Sequence, residues 1–200
     1  MKNYLTLLRK LLLFIALIAV VVVAIIYSLN NQMGDNDSPS KPPINTENGN
    51  AQSIPLPDDA QAAKVKHIHD GDTLFLEALE SGNQISEKGE VKVRLVGIDT
   101  PEVSSPKECY GDEATNALKN LIPVNSTVWV STDREPYDKY DRMLLYIWNE
   151  DGTFVNLQMV ADGYAEAIKV RPNDYFYAEL KQAENEAYSA NIGMWGKCNY

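Results

Sequence analysis

Residues Leu11 to Tyr27 read LLLFIALIAVVVVAIIY, a run of seventeen side chains with no charge and only one hydroxyl. A small folded unit cannot bury such a run, so it must lie in lipid or be removed. At ~1.5 Å per helical residue it spans ~26 Å, close to the thickness of a bilayer's hydrocarbon core. The apolar region of a secretory signal is shorter, ~7–15 residues, and ends in a small-x-small cleavage site. Ser28-Leu29-Asn30 is a poor version of such a site. Lys2, Arg9 and Lys10 precede the run and no positive charge follows it closely, which keeps the amino terminus in the cytoplasm. The expectation is a cytoplasmic segment 1–10 and an anchor 11–29, with the remainder exported at the cell membrane. If 11–29 is instead a cleaved signal peptide, the protein is secreted.

Residues 30–62 read as a disordered linker. The stretch is rich in Asn, Asp, Ser and Pro and has almost no large apolar side chain, so ordering it would not be repaid by burial. Residues 63–200 are then the folded domain. Of 200 residues, 18 are basic and 28 acidic, a net charge of −10. That balance excludes a broadly basic nucleic-acid surface, so a polyanionic substrate would have to be gripped locally, with a metal ion supplying charge. The two cysteines, Cys109 and Cys198, fall on the exported side. One disulfide is possible there, and two unpaired thiols are the other reading.

Five β-prone runs appear within the domain: Lys64–His69, Thr73–Glu77, Glu90–Ile98, Ser126–Thr132 and Met143–Trp148. Asp70-Gly71-Asp72 between the first two is a hairpin signal. Helices are expected over Asp112–Leu121, Phe154–Ala161 (stopped by Gly163) and Asp174–Asn191 (closed by Gly193). This order suggests a small curled sheet or barrel with helices packed on it, an α+β arrangement.

Chemistry concentrates at the ends of these strands. "VKVRLVGIDTPE", Val91 to Glu102, places Arg94 inside an apolar strand and ends it with Asp99, Thr100, Pro101 and Glu102. Pro101 removes an amide donor and frees neighbouring carbonyls. Asp72 and Asp99, with a freed carbonyl, make a hard-oxygen donor set suited to calcium. Strict alternation puts Arg94 and Asp99 on opposite sides, so their meeting requires a bulge near Gly97 or barrel curvature. Arg142, at the edge of the fifth apolar run, can be held rigidly for bidentate phosphate contact. His67 and His69 share a strand face but read as surface or packing residues. Tyr175, Tyr177 and Tyr188 read as packing residues of the last helix.

"DGDT", "RLVGIDTPE", "DKYDR" and "GMW", in this order, resemble the staphylococcal nuclease (thermonuclease) family over Lys64 to Trp195. The resemblance implies a five-stranded OB-fold barrel with three helices and calcium-dependent hydrolysis of DNA and RNA. By position, Asp72, Asp99 and the Thr100 carbonyl would hold Ca2+. Glu102 would orient or deprotonate the attacking water, and Arg94 and Arg142 would hold the scissile phosphate. Lys139, Tyr140, Lys169 and Arg171 are candidate substrate contacts. In two places the chain departs from the best-known members. Asp141 stands where they carry glycine, and Lys169 and Arg171 stand where they carry tyrosines. No protein partner is identifiable and a monomer is expected. The alternatives are a catalytically weak or inactive OB-fold module that binds nucleic acid or a partner, and a structural exported domain with a calcium site.

Overall fold

The computed structural model describes residues 54–199. The expected anchor, and the expected linker as far as residue 53, lie outside the described residues. Among the described residues, no helix is long and apolar enough to cross a membrane.

The elements run β1 (Gln61–Ile68), β2 (Thr73–Ala78), β3 (Glu90–Leu95), β4 (Ile98–Asp99), α1 (Gly111–Leu121), β5 (Thr127–Ser131), β6 (Met143–Trp148), α2 (Val155–Ala161), β7 (Glu166–Ala167), α3 (Tyr177–Ser189) and α4 (Met194–Lys197). Five of the strands close into a barrel in the order β1-β2-β3-β6-β5. All the ladders are antiparallel except β3–β6, which is parallel. Parallel neighbours need a long crossover, and here it carries β4, α1 and β5. Val91, Val93 and Leu95 point into the barrel while Lys92 is exposed, giving β3 its alternation. Strand β6 is buried throughout. Met143, Leu145 and Ile147 fill the barrel, and Leu144, Tyr146 and Trp148 belong to a second core outside it. A strand covered on both faces reads as an unbroken apolar run, as MLLYIW does.

The structure alters the expected boundaries in three places. The third run does not continue to Ile98. It breaks after Leu95 at Gly97, whose φ of +83° favours glycine, and resumes as β4. The last helix is shorter than Asp174–Asn191, and Asn191 (φ 53°) takes the left-handed position beyond its end, ahead of Gly193 (φ 60°). The packed domain also begins before residue 63. Ile54 and Leu56 are buried in the second core with Trp129, Trp148 and Phe154, and the Ile54 carbonyl accepts the Trp148 indole N–H at 3.0 Å. Two apolar residues separated by Pro55 and followed by Pro57, Asp58 and Asp59 are too few to stand out from a linker.

Fully buried Asn156 joins the barrel to the chain break. Its Nδ2 donates to the carbonyls of Val96 (2.9 Å) and Leu145 (3.3 Å), and its Oδ1 accepts from the Ile147 amide (3.0 Å). The turn that starts at Val96 is therefore tied to β6. Because Leu56 packs as core, Leu56→Ala is expected to lower stability by about 2–3 kcal/mol in urea unfolding. A free linker residue would show no change.

Candidate active site

The site begins at the β1–β2 turn. Asp70 Oδ1 accepts the amides of Asp72 (3.1 Å) and Thr73 (2.7 Å), an Asx turn that aims the Asp72 side chain inward. Asp72 is only 6% exposed. Its Oδ2 accepts both the amide and the hydroxyl of Thr100, each at 2.9 Å, and its Oδ1 accepts the Thr73 hydroxyl at 3.1 Å. Burial pushes the Asp72 carboxyl up to about 6. The Asp70 charge adds to the rise, while Arg94 and the Thr100 bonds oppose it.

Arg94 pairs with Thr73 across the β2–β3 ladder. One of its terminal nitrogens contacts Asp72 Oδ2 and the other contacts Asp99 Oδ1. The left-handed turn at Gly97 resets the alternation, so Asp99 falls on the same side as Arg94. Strand β4 is then held by β7, with Asp99 opposite Glu166 and the Ile168 amide donating to the Gly97 carbonyl at 2.9 Å. The two carboxylates thus bracket one positive group, and this hard-oxygen set suits a cation. Among the described residues, no three His, Cys, Asp or Glu side chains cluster as a metal site. A bound metal would therefore need carbonyl or water oxygens beside Asp72 and Asp99. A cleft of about 420 Å³ opens at Asp99, Thr100 and Pro101, walled by Glu108, Glu166 and the Cys109–Cys198 disulfide.

Glu102 is exposed on the loop beyond Pro101. Glu108 clasps its backbone: the Glu102 amide donates to Glu108 Oε2, and the Glu108 amide donates to the Glu102 carbonyl, both at 2.9 Å. Gly111 opens α1 so close by that a Cβ there would lie 2.7 Å from the Glu102 carbonyl oxygen. The neighbouring Cys109 ties this loop to Cys198 near the end of the chain. Sequence reasoning missed Glu108, because a lone glutamate in a loop carries no distinguishing pattern.

Arg142 precedes β6, whose Met143 and Leu144 lie beside Val93 and Arg94. Its partner is Asp138, which accepts Arg142 Nε at 2.7 Å and the amides of Arg142 (3.0 Å) and Tyr140 (2.9 Å). Asp141 is exposed with φ 58°, a conformation that glycine adopts freely and aspartate tolerates. Asp141 thus suits the turn, and Arg142 pairs with Asp138 rather than Asp141. Tyr140 is 67% exposed, with Lys139 Nζ 4.9 Å and the Arg142 guanidinium 5.6 Å from its ring centre. Lys169 lies 3.4 Å from Asp174 and over the Tyr177 ring, and Arg171 is exposed. The structure brings Asp72, Arg94, Asp99 and Thr100 into direct contact, whereas Lys169 is drawn toward α3. His67 packs on Phe75 and His69 lies 3.9 Å from Asp70.

Burial raises the Asp138 carboxyl, but the bonds from Arg142 and Tyr140 outweigh it, so its pKa lies below the ordinary 3.8. A depressed pKa stabilises the fold above the unfolded value, and the contribution is lost as pH falls through the native one. Asp138→Asn should cost about 1–3 kcal/mol at neutral pH. The difference from the parent protein should shrink below about pH 4 in urea unfolding followed against pH.

A family model described as "Staphylococcal nuclease homologue" matches residues 92–197. The thermonuclease of Staphylococcus intermedius is 35% identical over 134 residues, covering 66% of this chain and 74% of its own length. The thermonuclease of Staphylococcus hyicus is 30% identical over 154 residues, covering 75% and 85%. The SPbeta prophage-derived endonuclease YokF of Bacillus subtilis (strain 168) is 31% identical over 136 residues, covering 66% of this chain and 43% of its own. A closed five-stranded barrel carrying these motifs in this order, together with these matches, places the chain in the staphylococcal nuclease family.

Proposed function

We propose that the protein is a calcium-dependent nuclease that hydrolyses phosphodiester bonds of DNA and RNA outside the cytoplasm, held at the membrane by residues 11–29. The observation that carries this reading is the bracketing of Arg94 by Asp72 and Asp99, with Thr100 bonded to Asp72 and Glu102 on the adjoining loop. The relatives named as thermonucleases and an endonuclease support it.

Asp72, Asp99 and the Thr100 carbonyl would hold the calcium ion, which when bound acts as a Lewis acid on the phosphoryl group. Asp72 is buried and fixed by three hydrogen bonds, so it forms the rigid side of that site. Exposed Asp99 can adjust. Arg142, and Arg94 once released from Asp72 and Asp99, would present planar, permanently charged forks to the non-bridging phosphate oxygens, where negative charge grows during displacement. Asp138 leaves the terminal nitrogens of Arg142 free of its own grip, since it binds through Nε. Glu102 stands in water and can accept or orient a proton of the attacking water. Glu108 and Gly111 set the position of its backbone.

The test is digestion of single-stranded DNA and RNA by the full chain with calcium and with chelator. Cleavage is expected only with the metal, and Glu102→Gln should lower kcat by about 10²–10⁴. Strand binding without cleavage by the parent protein would identify the binding-module alternative. Glu108→Ala should lower kcat by about tenfold with KM unchanged, because it loosens the loop bearing Glu102 and leaves the phosphate contacts intact.

A further inference from the structure

We propose that Tyr175 and the cleft beside it form a stacking subsite for a base of single-stranded nucleic acid, on the strand flanking the scissile phosphate. The proposal rests on the nuclease reading and extends its substrate contacts beyond the catalytic cluster. Tyr175 was expected to pack within the last helix. It lies before α3 instead, and is 70% exposed. One edge of the residue is nevertheless immobilised. Its ring meets Phe176 at 4.7 Å and 89°, and its amide donates to Asp133 Oδ2 at 3.0 Å. The same carboxylate oxygen accepts the Tyr146 hydroxyl at 3.3 Å. The ring is thus held on a rigid backbone with an open face, which is what a stacking platform requires.

The adjoining cleft holds about 280 Å³, with the rings of Tyr146, Tyr175 and Phe176 as its apolar wall and Thr132, Asp133 and Arg134 as its polar rim. An aromatic wall with hydroxyl, carboxylate and guanidinium groups at the edge suits a planar, hydrogen-bonding heterocycle. The charge around it suits a phosphate-bearing chain. Arg134 lies 3.7 Å and Lys169 3.4 Å from Asp174, and Arg134 also donates to the Pro172 carbonyl next to Arg171 at 3.2 Å. Arg134 and Lys169 thus flank Asp174, with exposed Arg171 close by in sequence, so basic side chains are placed locally in a chain of net charge −10. Aromatic stacking beside a cationic track is how single strands are held without sequence preference.

The cleft also shares two elements with the catalytic cluster, β6 and the β5–β6 connection. Arg134 begins the same β5–β6 connection that ends in Lys139, Tyr140 and Arg142. Tyr146 lies two residues along β6 from Leu144, the register partner of Arg94. At ~3.3 Å per residue that is ~7 Å along the strand, within reach of a neighbouring nucleotide. Asn173 locks this geometry, accepting the amides of Arg134 (3.0 Å) and Glu135 (2.8 Å) and donating to the Glu135 carbonyl (2.7 Å).

The test is fluorescence anisotropy of full-chain Glu102→Gln protein with a labelled oligothymidylate of about a dozen nucleotides and with a dinucleotide. Adding Tyr175→Ala should weaken binding of the longer strand about 5- to 100-fold and leave the dinucleotide unchanged, since stacking contributes about 1–3 kcal/mol per base. Tyr175→Phe should retain binding, because the ring and not the hydroxyl is the platform. Equal affinity of Tyr175→Ala and its parent for the longer strand, in protein with unaltered thermal melting, overturns the subsite. If the unsubstituted chain still cleaves, the nuclease reading survives that result. Failure of the parent both to bind and to cleave overturns both.

Discussion

Everything at the candidate site depends on one arginine held between two aspartates. Asp72 is buried far enough for its carboxyl to resist ionisation, and Arg94 is among the groups that keep it charged. Removing a carboxylate from water is unfavourable unless it is paired and fully hydrogen-bonded. Arg94, Thr100 and Thr73 together meet that condition. The second contact, to Asp99, links β3 to β4 just ahead of the Pro101–Glu102 loop. Such an arrangement is electrostatically poised, because a cation or a phosphate arriving there would re-partition charges already in contact.

A second layer of residues makes the first one rigid. Asn156 ties the turn at Val96 to β6, Asp70 fixes the turn that presents Asp72, and Asp138 holds Arg142 through its Nε. Glu108 and the close approach of Gly111 hold the Glu102 backbone, with the disulfide anchoring the neighbouring residue. At Glu102 the backbone is gripped and the carboxylate is left in water, and at Arg142 the grip is on Nε, away from the terminal nitrogens. Preorganisation of this kind is what charge stabilisation in a displacement reaction requires.

The acidic composition and the proposed nucleic-acid substrate are compatible because positive charge is placed locally. Arg94 lies on β3 and Arg142 just ahead of the adjoining β6, Lys139 rides on the exposed Tyr140 ring, and Arg134 and Lys169 flank Asp174. Tyr175 and Tyr177 follow Asp174 closely and add aromatic surface there, the Tyr177 ring lying under Lys169.

Much of this was legible in the chain itself. The five strand runs and the carboxylate and arginine motifs follow from residue order, because alternation, Pro101 and the Asp-Gly turn act over a few residues and need no distant partner. Gly97 could be named as the place where alternation had to fail. The sense of the failure, a left-handed turn that brings Asp99 round to Arg94, was decided only when β4 found β7. Asn156 and Glu108 were invisible, and the grip of Asp138 on Arg142 went unread within "DKYDR", because their partners lie 60, 6 and 4 residues away and their own types are common everywhere. Ile54 and Leu56 looked like linker, and became core because Trp148 needed an acceptor and a cover. Local sequence dictates which groups are available, and the closing of the barrel decides which of them meet, since contact between distant segments is a property of packing and not of pattern.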